Sequence, residues 1–251
     1  MKIFIATPCA HEVVTASYAV TLHHIAGDLA ARGIRNNVDI LSLSDIELSR
    51  NILASKMFDE RSYTHLLFID SDMSFPAELI LRMVDFNEPF VGAICPKRSL
   101  DLDKIIAAAR RDPAADTKSL VSTNADYAGA LAGAAKGEDT VFGVRSGFAR
   151  AEYVGMAVTL LQRVVFETMV EKHVVAMRPG KDVLSPVPYY GFFHKLRAAD
   201  GAFWSEDASF CRRWTKDCGG EIWACVDQEI FHHGTYSYRG TYLDRLKTGL
   251  R

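Results

Sequence analysis

Short apolar runs alternate with helical stretches through the first hundred residues, and this alternation limits the fold more than any other feature of the chain. Strands are expected at Lys2 to Ala6 (KIFIA), Val38 to Leu43 (VDILSL), His65 to Ile69 and Phe90 to Cys95 (FVGAIC). Between them, apolar spacing near 3.6 predicts helices over Val13 to Arg32, Ile46 to Phe58 and Pro76 to Phe86, the last with proline in its first turn. Strands covered by helices on both faces form mostly parallel sheets, and ligands gather at the carboxyl ends of such strands. The expected class is therefore α/β, with a Rossmann-like, mostly parallel central sheet flanked by helices. At 251 residues and 49% hydrophobic content, the chain has enough apolar material for that core.

The second half is less regular. From Asp101 to Arg150 the pattern gives way to a short helical piece (DKIIAAARR), a break at Pro113 and a Gly/Ala/Ser-rich run, which predicts a mobile loop or lid over 101–150. Order returns with a strand over Val154 to Leu161, a helix over Arg163 to Lys172, an aromatic PYYGFF segment, a helix from Glu206 to about Lys216 and a strand over Glu221 to Val226. A single domain over 1–251 is expected, with 1–100 and 151–251 as its two working halves.

Charge and cysteine usage exclude some classes. A formal net charge of -2 leaves no electrostatic footprint for nucleic acid. Cys9, Cys95, Cys211, Cys218 and Cys225 are odd in number and never closer than seven residues, so they read as reduced core thiols. The N-terminal apolar run is too short for a signal peptide, and no stretch reaches the ~20 apolar residues that span a bilayer. A cytoplasmic protein without a transmembrane segment is expected.

Chemistry concentrates in LLFIDSDMSF, Leu66 to Phe75. In extended backbone, residues i and i+2 point the same way, so Asp70 and Asp72 would aim both carboxylates at one point beyond the strand, with Ser71 turned aside. Such oxygens suit Mg²⁺ or Mn²⁺, which can bridge a diphosphate and neutralise charge as it leaves. Capping of the next helix is the competing account. A calcium loop starting at Asp70 fails, because its sixth and twelfth places hold Phe75 and Leu81 where glycine and glutamate are required. Phosphatases of the haloacid dehalogenase type also use an aspartate pair, but after the first strand.

Phe203-Trp204-Ser205-Glu206-Asp207 opens a helix. Ser205 suits an N-cap and the two acids suit the helix dipole. Alternatively one carboxylate takes a proton from an incoming hydroxyl while Phe203 and Trp204 offer flat apolar surface to a sugar ring. His232-His233-Gly234 follows the last strand, where an imidazole could complete a metal site begun by a carboxylate.

Taken in order, LLFIDSDMSFP, AICPKR, VGMAVTLLQRVVFETM, YYGFF, SEDASFCRRW, GGEIWAC and HHGTYSYRG resemble GT-A-type glycosyltransferases, family-2-like, over most of the chain. The resemblance implies a metal-dependent transfer from a nucleotide-diphosphate sugar, a UDP-sugar in the first instance, to a glycan or other hydroxyl acceptor, with inversion. It implies that Asp72 and His232 ligate Mn²⁺ or Mg²⁺, and that Asp70 contacts the donor ribose or the hydrated metal. It also places Thr7, Pro8 and Glu12 near the nucleotide base and Arg50 and Asn51 in the donor pocket. Asp207 rather than Glu206 becomes the base. Lys97 and Arg98 serve either phosphates or a solvated loop. A phosphatase or nucleotidyl transferase using the Asp70/Asp72 pair, and a non-catalytic nucleotide-sugar-binding module, are the alternatives.

Overall fold

The computed structural model describes residues 1–133, 143–180, 187–198 and 200–235. The first half follows the alternation: β1 (Lys2–Cys9), α1 (Ala16–Ala31), β2 (Arg35–Ser42), α2 (Ile46–Asp59) and β3 (His65–Ile69). Thr15 and Asp45 cap α1 and α2 by accepting from Tyr18 N and Leu48 N. Then come β4 (Met73–Ser74), α3 (Glu78–Phe86), β5 (Phe90–Ala93) and β6 (Cys95–Pro96). The segment expected as a lid is largely regular instead: α4 (Leu102–Arg111), α5 (Thr117–Asn124), β7 (Tyr127–Leu131), β8 (Val144–Arg145) and the start of β9 (Phe148–Val154). Residues 134–142 lie outside the described residues. The expected helical piece DKIIAAARR is α4, and neither α4 nor α5 buries a residue.

After β9 come β10 (Val158–Gln162), α6 (Arg163–Glu171), β11 (Met177–Arg178), β12 (Tyr189–Tyr190), α7 (Glu206–Arg212), a π turn (Arg213–Asp217), β13 (Ile222–Cys225) and β14 (Phe231–His232). The expected strand over Val154 to Leu161 is thus two strands, parted at Gly155-Met156-Ala157. The main sheet has ten strands in the order β2-β1-β3-β10-β5-β13-β9-β7-β6, with β8 beside β9. Parallel pairing holds for β2-β1-β3 and for β5-β13. β10 runs antiparallel between β3 and β5, and β9, β7 and β6 continue antiparallel, so the sheet is mixed rather than mostly parallel.

Alternation along the strands divides the core in two. Phe4, Leu66, Phe68 and Leu161 face a layer made by α2, α6 and α7, while Ile3, Ile5, Leu67, Ile69 and Leu160 face α1 and α3. Each large side chain so buried stabilises the fold by roughly 1.5–3 kcal/mol. Cys9, Cys95, Cys211 and Cys225 are buried and all five cysteines are free thiols, in line with the reading above. Among the described residues no helix is long and apolar enough to cross a membrane.

His65 opens β3 and is 8% exposed, with Nδ1 2.8 Å from Thr64 Oγ1. Burial, helped by the charged N-terminus, lowers its imidazole from 6.5 to about 4. The unfolded imidazole therefore gains a proton as pH falls through 6.5, while the folded one stays neutral until about 4. Stability held above pH 6.5 should fall by about 3 kcal/mol across that window and then level off. Urea midpoints of the native chain and His65→Gln at pH 7, 5 and 4 measure this. The difference between the two curves should carry the slope, and parallel curves would show that His65 contributes none of it.

Candidate functional site

The chain turns sharply at the end of β3. Asp70 N donates to the Ala157 carbonyl at 2.9 Å, and Met73 N returns to the Asp70 carbonyl at 3.1 Å. Thr15, at the head of α1, donates through its backbone N and Oγ1 to the Ser71 carbonyl at 3.0 and 3.4 Å. β4 then pairs with β14, bringing His232 opposite Met73, while His233 N donates to the Asp72 carbonyl at 2.8 Å. His233 itself shares a 2.7 Å hydrogen bond with Ser74 Oγ through Nε2. The late histidines are therefore delivered to the aspartate turn by backbone pairing.

This turn overturns the expectation that both carboxylates share one target, since the i, i+2 argument holds only in extended backbone. Asp70 points to Arg50, whose NH2 donates to Oδ1 and Oδ2 at 3.1 and 3.3 Å. Asp72 Oδ2 meets Arg98 NH1 at 3.0 Å and His232 Nε2 at 3.4 Å. Asp70 and Asp72 thus have different cationic partners, and among the described residues no three His, Cys, Asp or Glu side chains converge.

His232 carries the more informative geometry. Its Nδ1 lies 2.8 Å from the Pro96 carbonyl, which can only accept, so Nδ1 carries the proton. In the neutral ring, Nε2 then presents a lone pair toward Asp72 Oδ2. A histidine tied to a backbone carbonyl with its other nitrogen beside a carboxylate is the usual dress of a metal ligand. The hydrogen bond with Asp72 raises the His232 imidazole against the pull of burial. Burial alone would raise the Asp72 carboxyl, but His232 and Arg98 outweigh it and hold the group below its ordinary range.

Arg50 is 3% exposed and joins three elements. Beyond Asp70, its NH1 donates to the Met156 carbonyl at 3.3 Å, and its Nε faces Glu206 Oε1 at 3.5 Å without a hydrogen bond. Glu206 is therefore engaged by Arg50 rather than turned to an open cleft. Beside it, burial raises the Glu47 carboxyl against the pull of Lys195, with Glu206 adding to the rise, and Lys195 Nζ stands 3.8 Å from Glu47. Neither Glu47 nor Lys195 carried a sequence signal.

Asp207 is placed differently. Its Oδ1 accepts from Ala208 N at 2.7 Å and from the Ser205 hydroxyl, while Ser205, the expected N-cap, accepts from the same Ala208 N at 3.4 Å. Its Oδ2 faces Gly155: a Cβ built there would stand 3.7 Å from Oδ2 and 3.2 Å from Ala128 Cβ, so glycine keeps that gap open. Ala128 lines a pocket of about 560 Å³ with Lys97, Arg98, His232 and Gly234. On the other side, Ser205 and Ala208 line a cleft of about 770 Å³ with Phe203, Trp204, Tyr153 and Arg212. Asp207 itself lines neither space: its neighbours Ser205 and Ala208 line the aromatic cleft, and its Oδ2 faces Gly155, which packs against Ala128 of the cationic pocket. Phe203 is 68% and Trp204 42% exposed, and the Arg212 guanidinium lies 5.6 Å over the Trp204 ring.

The remaining expected residues divide. Thr7 is fully buried, sharing a 2.5 Å hydrogen bond with the Tyr18 hydroxyl, and Pro8 is buried in β1. Asn51 is fully buried, its Oδ1 accepting from Phe193 N at 2.7 Å. These three are buried in the scaffold, and none of them lines either of the two spaces described above. Glu12 is exposed, follows His11 in left-handed backbone (φ 58 and 56) and donates its N–H to Ser42 Oγ at 3.1 Å. Ser71 is half-buried, and its carbonyl accepts from Thr15. The tail of HHGTYSYRG beyond Thr235 lies outside the described residues.

No family model matches the chain, and no curated protein matches it. Among solved structures, the crystal structure of A197 from STIV aligns at a TM-score of 0.47 with 13% identity, over 94% of this chain and 87% of that one. A likeness this loose carries no argument about activity.

Proposed function

We propose that the chain is a GT-A-type, family-2-like glycosyltransferase that moves a sugar from a nucleoside-diphosphate sugar to a hydroxyl acceptor, with inversion. The observation that supports it best is the gathering, around the start of α7, of an aromatic cleft lined by Ser205 and Ala208 and, past Gly155, of Ala128 from the cationic pocket, with Asp207 between those neighbours in the chain. Lys97, Arg98 and His232 offer cationic and hydrogen-bonding groups to a diphosphate, while Trp204 and Phe203 offer ring faces to a sugar. Asp207 Oδ2, free of the helix cap, is the group to receive the acceptor's proton.

Asp72 and His232 are the residues that would hold Mn²⁺ or Mg²⁺. Their donor set fits, because such ions are commonly bound through one or two protein ligands with phosphate oxygens and water completing the shell. When bound, the ion would offset negative charge on the departing diphosphate. Asp70 and Arg50 act as supports: the buried guanidinium holds the β3 turn and the start of α7 at a fixed separation. With both Asp70 oxygens engaged by Arg50, an aspartyl nucleophile at that position is disfavoured, which weighs against the phosphatase reading.

Calorimetric titration of UDP and GDP, with and without Mn²⁺, tests the proposal. One nucleotide should bind with Mn²⁺ and lose at least about tenfold in affinity on Asp72→Ala or metal removal. Absence of binding, or binding indifferent to both changes, sinks the transferase reading.

A further inference from the structure

Arg98 is where it would be least expected beside a metal ligand. Its NH1 stands 3.0 Å from Asp72 Oδ2, the oxygen that His232 Nε2 also faces at 3.4 Å, although the Arg98 side chain is 56% exposed and would be well solvated elsewhere. Its arm reaches that carboxylate across Gly234. A Cβ at Gly234 would stand 2.8 Å from Arg98 Cδ and 3.4 Å from Cγ, so a side chain there would push the arm aside. Gly234 has no left-handed φ, so close approach rather than backbone conformation explains the glycine. Arg98, Lys97 and Gly234 line the same pocket as His232. A guanidinium 3.0 Å from Asp72 Oδ2 and a divalent cation on the same oxygen repel each other, so each weakens the other's hold on the carboxylate. The same guanidinium, once displaced, remains in that pocket with its fork of donors, the shape that matches phosphate oxygens.

We propose that Arg98 exchanges partners: it neutralises Asp72 while the site holds no cation, and on cation entry it passes to the diphosphate of the incoming nucleotide. Arg98 is then a diphosphate-binding residue, and Gly234 keeps its path clear. This rests on the proposed function, and it adds a prediction that metal ligation alone does not make. Removing Arg98 should change cation affinity and nucleotide affinity in opposite directions.

The test is Mn²⁺ binding in the absence of nucleotide, read from the electron paramagnetic resonance of free Mn²⁺, followed by UDP and GDP titrations at saturating Mn²⁺. Arg98→Ala should bind Mn²⁺ about two- to fivefold more tightly, the worth of a half-exposed ion pair. It should bind the nucleotide about tenfold or more weakly, having lost a charge-assisted contact. Gly234→Ala should also tighten Mn²⁺ but keep most of the nucleotide affinity, because its guanidinium is displaced rather than deleted. If Arg98→Ala leaves Mn²⁺ affinity unchanged, or weakens Mn²⁺ and nucleotide together, the exchange is overturned while the transferase reading stands. If the native chain binds neither Mn²⁺ nor either nucleotide, both fall.

Discussion

An Asp207→Asn chain is expected to fold, to bind nucleotide and Mn²⁺ as the native chain does, and to turn over about 10²–10⁴-fold more slowly. Asparagine keeps the shape of the side chain and can still accept from Ala208 N through Oδ1, the bond that Asp207 makes at 2.7 Å. Lost are the negative charge and the basic Oδ2 that faces the gap at Gly155. The charge at the start of α7 is worth about 0.3–1 kcal/mol to the helix, too little to unfold the chain. Release of nucleoside diphosphate from a panel of sugar donors, with water as the default acceptor, gives the rate without knowing the natural acceptor. Glu206→Gln is the comparison. Its oxygen lies 3.5 Å from the buried Arg50 Nε, so its effect should be smaller and should come with altered nucleotide affinity. If Glu206→Gln loses the full factor and Asp207→Asn loses none, the base is Glu206. If neither variant slows turnover of a binding-competent chain, the non-catalytic binding module becomes the better account.

How much of this was legible in the sequence depends on which interactions are local. β1, α1, β2, α2 and β3 were readable because period and capping residues act within a few positions, and Thr15 and Asp45 sit where such caps belong. The antiparallel place of β10 was not readable, because a strand buried on both faces shows the same apolar run in either direction. β7, with its YAGAL sequence, lacks the β-branched residues that mark a strand, so sheet pairing alone reveals it. At the site, the position of Asp70 and Asp72 after β3 was legible, but their parting was not. It depends on Arg50 and Arg98, one from a helix upstream and one from a loop downstream. Thr7 and Asn51 entered through resemblance alone, and their own packing puts them in the core. Gly155 and Gly234 are the opposite case. The resemblance drew attention to both, but their physical reason comes only from the Asp207 and Arg98 atoms that a Cβ would approach.

The same α7 that carries Asp207 should be sensitive to truncation: Phe210→Ala is expected to cost about 3–5 kcal/mol. Phe210 is fully buried, stacks on Phe193 with centroids 4.4 Å apart and planes 10° apart, and meets Phe90 and Phe166 at 5.8 and 5.7 Å. Alanine would leave a cavity walled by three rings that belong to separate segments and cannot all close on it. Phe193 is further pinned by the bond from its N–H to Asn51, so the ring that stacks on Phe210 has little freedom to follow. Urea unfolding should show a lower midpoint at an unchanged slope, while Phe210→Leu, which keeps most of the volume, should lose less than about 1.5 kcal/mol. The functional consequence follows from distance along one helix. Phe210 lies one turn from Asp207, so a loosened anchor lets the carboxylate wander from the Gly155 gap, and turnover should fall further than nucleotide binding even at temperatures where the variant is folded. A variant with native midpoint and native turnover would mean that α7 is held by its cap and by Arg50 rather than by its aromatic face.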